Sequence, residues 1–314
     1  MSASTRKISI FQKLGPLIGL AIILIVLSIL SPQFFTLANI LNVLRQVSIN
    51  ALIAFGLTFV ILTGGIDLSV GSMLALSGAI TAGLMAGGTD PILAMLVGLA
   101  AGAVMGAING LIITKGKVAP FIATLATMTV FRGLTLVYTD GKPITGLSDH
   151  MSFVLMGRGY FAGIPIPVIW MLASFAVLWF LLKKTTFGRR TYAIGGNEEA
   201  SLLSGIKVDR IKVMIYSLTG LLSAFAGIIL TSRLNSAQPT AGTAYELDAI
   251  AAVVLGGTSL SGGRGWIFGT LVGALIIGVL NNGLNLLNVS SFYQQVVKGG
   301  VILLAVLLDR KKAA

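Results

Sequence analysis

The chain has 314 residues, of which 55% are hydrophobic and only 10% are charged, and its mean hydropathy is +0.95. Soluble proteins carry about 25% charged residues, so this composition excludes an ordinary soluble protein. The net charge of +12 does not indicate nucleic-acid binding, because the basic residues lie between apolar segments and not on a basic soluble domain. The absence of cysteine excludes disulfides, thiolate zinc sites and cysteine nucleophiles.

Hydropathy predicts an all-α polytopic membrane protein that forms a single domain over residues 1–314, with about ten transmembrane helices, some of them broken or re-entrant. Each segment is near the length needed to cross an apolar core of roughly 30 Å. The predicted segments lie near 14–31, 46–63, 68–86, 91–114, 119–139, 164–182, 211–231, 245–258, 266–285 and 292–308.

The first segment resembles a signal peptide, because Arg6, Lys7 and Lys13 precede an apolar run from Leu14 to Leu30. The run is long for the apolar part of a signal peptide, and no A-x-A cleavage site follows it. We therefore predict a first helix that is retained.

Asp67, between the second and third segments, is the acidic residue that we expect at membrane depth. An unpaired carboxylate there costs on the order of several kcal/mol. One interpretation of Asp67 is a residue of the transport pathway or of proton coupling. The other, which we favour, is that it caps the third segment. The octapeptide Gly64–Gly71 around it resembles Gly256–Gly263. Glycine-rich breaks at matching places indicate a transport pathway, and chance similarity is the alternative.

The fourth segment begins with Asp90 and Pro91, a capping residue followed by a proline of the first turn. Glycines recur at every fourth position in two segments: Gly98, Gly102, Gly106 and Gly110 in the fourth, and Gly265, Gly269 and Gly273 in the ninth. Such a ridge lets a neighbouring backbone approach closely. We expect packing inside the bundle, with a subunit interface as the alternative.

The longest solvated run, 183–212, contains seven basic and three acidic residues. The positive-inside rule puts it in the cytoplasm. Within it Asn197 can cap a short helix with Glu198 and Glu199 in the first turn, and Gly205 can end that helix. A capped helix of about two turns at the membrane face is typical of a docking element for a soluble partner.

The distribution of charge also predicts the topology. With the N-terminus inside, 16 of the 22 basic residues lie on or beside the cytoplasmic side, so both termini are predicted to be cytoplasmic. Asp209 is predicted to cap the seventh segment.

Polar residues in the last third of the chain are candidates for the translocation pathway. Glu246 and Asp248 begin the eighth segment, where they either offset the helix dipole or contact a partner at the external mouth, and both interpretations stay open. Asn281, Asn282 and Asn285 either join helices or offer amides to a polar solute, and we favour packing. His150, in an external loop, is predicted to be solvated, and no second His or Cys exists to complete a metal site.

Enzyme signatures are missing from the sequence. It contains no G-x-S-x-G, no H-E-x-x-H and no phosphate-binding G-x-x-x-x-G-K-[ST] loop, so the chain is not predicted to be an enzyme or to hydrolyse ATP itself. This pattern favours a transporter that is driven by a separate motor.

Six stretches are distinctive: 30–35 (LSPQFF), 62–71 (LTGGIDLSVG), 192–199 (YAIGGNEE), 236–242 (SAQPTAG), 245–250 (YELDAI) and 283–287 (GLNLL). In this order and at these spacings the sequence closely resembles the membrane permease of bacterial ABC importers for monosaccharides, most closely that of the ribose system. The resemblance runs from about Leu30 to Lys311 and is poorest in the external loop 140–163.

The resemblance implies an ABC importer permease fold in the bacterial inner membrane and transport of ribose or a similar monosaccharide. It also implies a permease homodimer, a cytosolic ATPase with two nucleotide-binding cassettes that uses ATP and Mg, and a periplasmic sugar-binding protein, with no cofactor bound by this chain. The loop 183–212 would then hold the helix that couples to the ATPase, through Gly196, Asn197, Glu198, Glu199, Ala200, Leu203 and Gly205.

A proton-coupled secondary transporter of a polar solute, using Asp67, is the alternative function. It requires no partner chains, so transport by the lone protein would distinguish it.

Overall fold

The structure is a computed structural model that describes residues 3–147 and 151–313, so His150 lies outside the described residues. Helices make up most of it. They are α1 Ala3–Leu30, α2 Leu37–Leu62, α3 Val70–Ala86, α4 Pro91–Thr114, α5 Pro120–Thr139, α6 Met151–Arg158, α7 Ile166–Lys184, α8 Thr186–Gly196, α9 Glu198–Leu203, α10 Val208–Leu234, α11 Tyr245–Leu255, α12 Ile267–Leu286 and α13 Ser291–Ala313. Four two-residue strands, β1 Ile144–Thr145, β2 Tyr160–Phe161, β3 Ile164–Pro165 and β4 Ser236–Ala237, form two antiparallel pairs, β1 with β4 and β2 with β3.

The prediction of an all-α membrane protein is confirmed, and each of the ten predicted segments falls on a helix. Within the described ranges, six helices are long and apolar enough to cross a membrane: α2, α4, α5, α7, α10 and α12. The helix α11 has only 11 residues. At 1.5 Å per residue it covers about 16 Å, roughly half of an apolar core.

The centre of the bundle is formed by α2 and α10. Every residue of α2 from 51 to 62 is buried, and 67% of the residues in the membrane-spanning stretch of α10 are buried. In the corresponding stretches of α4, α5 and α7 only about a third of the residues or fewer are buried, so these helices present apolar faces to the outside of the bundle. A helix that is apolar all round is buried, whereas one with a single packed face borders the lipid.

The glycine ridge of α4 packs against α10. A methyl group at position 106 would lie 2.0 Å from the carbonyl oxygen of Tyr216, and one at position 102 would lie 2.3 Å from Cβ of Ala224. The corresponding ridge of α12 meets α11, where a methyl group at position 273 would lie 1.9 Å from the carbonyl oxygen of Ala252. Both ridges face helices of the same chain, so the prediction of packing inside the bundle is confirmed.

One predicted helix cap is present and another is wrong. Asp90 caps α4, accepting hydrogen bonds from the backbone N–H groups of Ile92 at 2.9 Å and Leu93 at 3.2 Å. Asp209 does not cap α10, because the helix already begins at Val208. Instead Asp209 lies in the first turn and forms an exposed ion pair of 2.9 Å with Lys115 at the end of α4.

Candidate functional site

The N-termini of two short helices, α3 and α11, meet inside the bundle. The helix α3 runs beside the second half of α10, with Leu74 against Gly227, so it begins near the middle of the bundle. A methyl group at Gly71, in its first turn, would lie 2.2 Å from the carbonyl oxygen of Gly242, which precedes α11. Gly242 has a φ of +70°, which glycine adopts without strain. Helix N-termini carry partial positive charge and favour electronegative groups.

A cavity of about 500 Å³ lies beside this junction, a volume within the range of small-molecule sites. Its lining is both polar and apolar and comes from several elements. The polar residues are Gln46 and Asn50 of α2, Arg233 of α10, Gln238 and Thr240 of the linker 235–244, Tyr245 and Asp248 of α11, Asn281 and Asn285 of α12, and Gln294 and Lys298 of α13. Besides the charged Arg233, Asp248 and Lys298, the cavity offers amides and hydroxyls, which suit a solute rich in hydroxyl groups.

Asp248 and Lys298 neutralise each other at the cavity. The Oδ2 atom of Asp248 lies 2.9 Å from Nζ of Lys298, and Asp248 is only 5% exposed. A buried carboxylate requires such a partner, because its desolvation is otherwise uncompensated. The pair joins α11 to α13 across the cavity wall.

Two amide oxygens at the cavity have no partner among the described residues. Asn281 and Asn50 both line it, and neither Oδ1 atom accepts a hydrogen bond there. The Oδ1 atom of Asn285 accepts one from Nε2 of Gln294 at 2.8 Å. A buried, unpaired amide oxygen is unfavourable, so a solute hydroxyl that donates to it would be stabilised.

Asn282 does not line this cavity. Its side chain exchanges two hydrogen bonds with the amide of Asn39, at 2.8 and 3.0 Å, and it is buried. It therefore joins α12 to α2, the packing role that we favoured for the cluster as a whole.

Glu246 is also absent from the cavity lining. It faces the start of α3, where a methyl group at Gly71 would lie 2.6 Å from its Oε2 atom. The linker that precedes α11 is held by Arg132 of α5, whose Nη1 donates to the carbonyl oxygens of Pro239 at 2.7 Å and Ala241 at 2.8 Å.

Asp67 lies apart from the cavity, in the buried turn between α2 and α3. Its Oδ1 atom accepts hydrogen bonds from N of Ser69 at 2.9 Å and from Oγ of Ser69 at 2.6 Å. The favoured role as helix cap is wrong in position, because Ser69 occupies the N-cap. Asn109 of α4 donates to the Ser69 hydroxyl at 2.8 Å, so the carboxylate anchors a turn held between α3 and α4.

The predicted caps of the short helix α9 are confirmed. Asn197 is extended and accepts a hydrogen bond from N of Ala200 at 2.9 Å. Gly205 has a φ of +79° and donates to the carbonyl oxygen of Leu202, while Ile206 donates to that of Ser201, both at 3.0 Å. These two bonds form a Schellman motif, which ends the helix after six residues.

The outer surface of α9 is apolar and acidic. Leu203 is 86% exposed and Leu202 is 54% exposed, while Glu199 is also exposed. Glu198 instead binds Lys212 of α10, with both carboxylate oxygens 2.7 Å from Nζ. The helix is thus held to the bundle on one side and presents leucines on the other.

The segment that leads into α9 contacts both glycine-rich breaks. A methyl group at Gly195 would lie 1.7 Å from the carbonyl oxygen of Leu62 and 2.5 Å from N of Gly263. Gly263 itself donates to that carbonyl at 2.9 Å. The breaks Gly64–Gly71 and Gly256–Gly263 therefore lie together, directly beneath α8.

Sequence reasoning missed several residues of the cavity: Gln46, Asn50, Arg233, Gln294 and Lys298. The available signal was a polar side chain inside an apolar segment, which marks a functional position in membrane helices. Their convergence on one cavity depends on how α2, α12 and α13 pack, which hydropathy does not contain.

Comparison with known proteins gives consistent relatives. The chain is 73% identical to the ribose import permease protein RbsC of Bacillus subtilis, over 97% of this chain and 95% of the relative. It is 56% identical to the protein of that name in Escherichia coli over 94% and 93%, and 45% identical to the D-allose transport system permease protein AlsC of Escherichia coli over 96% and 92%. No solved structure matches.

Residues 39–306 also match a family model described as the permease component of branched-chain amino acid transport systems. That description names amino acids, whereas the relatives above are named for sugars, so the family alone does not fix the solute. Since the match covers most of the chain and the relatives align along nearly all of it, the protein belongs to this family of transport-system permeases.

Proposed function

We propose that this chain is the transmembrane permease subunit of an ATP-driven sugar importer and that it carries ribose or a similar monosaccharide into the cytoplasm. The relative at 73% identity is a ribose import permease, and the D-allose relative is more distant at 45%. Ribose is therefore the first substrate to test.

The cavity between α2, α11, α12 and α13 carries this proposal. Its amides and hydroxyls suit the hydroxyl groups of a sugar, and its acid Asp248 is already neutralised by Lys298. The free amide oxygens of Asn50 and Asn281 are acceptors for sugar hydroxyls. Weak contacts of this kind suit a pathway, because a tightly bound solute would not leave.

ATP hydrolysis belongs to a partner subunit, a cytosolic ATPase with two nucleotide-binding cassettes that uses ATP and Mg. The helix α9, inside the cytoplasmic coupling loop 183–212 of the single permease domain, docks on that ATPase through Leu203 and Glu199. Movement of α9 shifts the two breaks through Gly195 and alternately exposes the cavity to the two sides.

The complete importer contains two copies of this chain with the translocation path between them, together with a periplasmic sugar-binding protein that selects the sugar. The chain resides in the bacterial inner membrane with both termini in the cytoplasm and holds no cofactor of its own. The glycine ridges contact helices of the same chain and are therefore not available to a second copy. The dimer contact would use the outward-facing sides of other helices.

The test is ribose uptake into proteoliposomes, measured with the chain alone and with its ATPase and binding protein. Uptake that requires ATP and both partners, and that resists a proton uncoupler, supports the proposal. Uptake by the lone chain that collapses with the proton gradient contradicts it and favours the proton-coupled alternative. Asp67 does not line the cavity, so a role in proton coupling would have to act away from the solute.

A further inference from the structure

A second cavity, of about 390 Å³, lies where the end of α7, the helix α8 and the start of α12 meet. It shares no lining residue with the first cavity, of about 500 Å³, which is called the solute cavity below. Most of its side chains are aromatic or basic: Trp179, Lys183, Tyr192, Arg264, Trp266 and Phe268.

Two cations from different elements converge on this cavity. Lys183 lies in the last turn of α7 and Arg264 precedes α12, and both side chains are exposed. Neither forms an ion pair within the described part of the chain, and the cavity lining contains no acidic residue. The Nζ atom of Lys183 lies 5.6 Å from the centre of the Trp179 ring, which orients the ammonium group at the cavity. The cavity therefore carries two positive charges available to an anion.

The aromatic residues indicate that this anion lies at a membrane surface. Two of the three tryptophans of the chain line the cavity, and the rings of Trp266 and Phe268 are 5.2 Å apart. Trp179 and Phe268 are 37% and 38% exposed. Tryptophan and basic residues are enriched together where a membrane helix leaves the apolar layer.

The face of α7 that leads to the cavity is apolar and open. Leu172 is 49% exposed and Ala176 is also exposed, and both lie on the same helical face as Trp179 and Lys183. An acyl chain can lie along these side chains while a phosphate above it contacts the two cations. Inorganic phosphate would use the cations but not this apolar surface.

We propose that this cavity binds the headgroup of an anionic phospholipid, with its acyl chains along α7. The inference rests on the membrane position of α7 and not on the identity of the transported solute. The bound lipid would brace α8, because Tyr192 of α8 lines the cavity and donates a hydrogen bond of 2.8 Å to the carbonyl oxygen of Gly265. Since α8 leads directly into α9, the lipid would also stabilise the element proposed to dock on the ATPase.

Native mass spectrometry of the purified chain tests this proposal, with phosphatidylglycerol and phosphatidylcholine of equal acyl length as probes. We expect the wild-type chain to retain phosphatidylglycerol selectively. In Lys183→Gln/Arg264→Gln its affinity should fall about 25-fold, because each basic residue near an anionic lipid contributes roughly fivefold. Equal retention of the two lipids by the wild type, or unchanged affinity in the variant, would overturn the proposal.

Two control variants separate a specific site from general charge and from misfolding. Arg189→Gln/Arg190→Gln removes two exposed cations of the same loop that do not line the cavity, and it should bind phosphatidylglycerol like the wild type. Lys183→Arg/Arg264→Lys keeps both charges and should retain the lipid. A loss in either control as large as in the Gln variant would contradict a site at these cations.

Glycerol phosphate distinguishes the lipid from a free phosphate compound. We expect it to displace phosphatidylglycerol only at far higher concentration, because it lacks the acyl chains that contact α7. Displacement at equal concentration would show a phosphate site and would contradict lipid binding. Failure of ribose uptake would leave this measurement unaffected, since it involves neither sugar nor ATP.

Discussion

Asn281 and Asn282 are neighbours in the sequence with different environments. The first lines the solute cavity with a free amide oxygen, and the second is bonded to Asn39. On a helix, successive residues are about 100° apart, whereas Asn281 and Asn285 share a face because they are four residues apart. Adjacent substitutions can therefore separate transport from stability.

Replacement of Asn281 by Leu should reduce sugar uptake without unfolding the protein. The change removes an acceptor for a sugar hydroxyl, and a net hydrogen bond contributes about 0.5–1.5 kcal/mol, which corresponds to roughly a two- to twelvefold loss of uptake at low sugar concentration. The melting temperature in detergent should not fall, since the Oδ1 atom has no partner to lose. Wild-type uptake in this variant would exclude Asn281 from the pathway.

Replacement of Asn282 by Leu should have the opposite profile. It leaves the Oδ1 atom of Asn39 without its donor and should destabilise the fold by about 0.6–2 kcal/mol, the range of hydrogen bonds between membrane helices. The double variant Asn39→Leu/Asn282→Leu should recover part of that loss, because no unpaired amide then remains. Thermal unfolding of both variants and of the wild type checks this prediction. An unchanged melting temperature combined with lost uptake would return Asn282 to the pathway.

At the scale of elements, the packing of α4 on α10 depends on glycine at position 106. Gly106→Ala should destabilise the protein, because the added methyl group would clash with the backbone of Tyr216. Backbone atoms of a packed helix cannot move away as the end of a flexible side chain can. Gly133→Ala in α5 is the matched control, since nothing lies within 4 Å of its added methyl group. That control should be neutral or stabilising by roughly 0.5–1 kcal/mol, from helix propensity. Similar melting temperatures for the two variants would contradict the close helix contact.

The exposed leucine of α9 gives a second prediction at this scale. Leu203→Ala should weaken binding of the ATPase and lower ATP-driven uptake while the melting temperature of the permease stays the same, because the side chain is 86% exposed in this chain. A central apolar contact at an interface contributes on the order of 1–2 kcal/mol, or about five- to thirtyfold in affinity. Val137→Ala, which truncates an 80% exposed residue of α5, should leave ATPase binding unchanged. Equal binding by Leu203→Ala and the wild type would remove α9 from the ATPase contact.

Elements with local signals were predictable from the sequence, and those that depend on packing were not. The start of α4 follows from Asp90 and Pro91, and both ends of α9 follow from Asn197 and Gly205. The start of α2 was predicted too late, because Asn39 and its polar neighbours lower the hydropathy of the first turns of this helix. The Asn39 side chain is accommodated there by a hydrogen bond to Asn282, which is distant in the sequence. The capping role of Asp67 was misplaced for a related reason, since Asn109 fixes the turn from another helix.

The cavity itself could be predicted only in part. Asp248, Asn281 and Asn285 were recognised as polar residues of apolar segments, and all three line it. The sequence does not contain the rotation of α12, which turns Asn282 away from the cavity, or the approach of α13, which supplies Lys298 to Asp248. Individual candidates were therefore visible, while their grouping required the tertiary structure.

At the scale of the whole molecule, a continuous set of contacts connects α9 with the solute cavity. Gly195 packs on Leu62, the last residue of α2 before the first break, and on Gly263 of the second break. The two breaks are joined to α3 and α11. The N-termini of α3 and α11 then meet at Gly71 and Gly242 beside the cavity. Packed backbone of this kind moves as a unit, so displacement at α9 would reach the pathway without a flexible link.

The contact at Gly195 provides the sharpest test of this connection. Gly195→Ala would force the Leu62 carbonyl away from α8, so sugar uptake and stimulation of ATP hydrolysis by the loaded binding protein should both be lost, while the ATPase still binds. Gly133→Ala in α5 is the control, because its added methyl group has nothing within 4 Å and the residue lies outside the coupling loop. If Gly195→Ala instead abolished ATPase binding, the glycine would act by holding α9 in place. Wild-type coupling in a folded Gly195→Ala protein would show that motion reaches the cavity by another route.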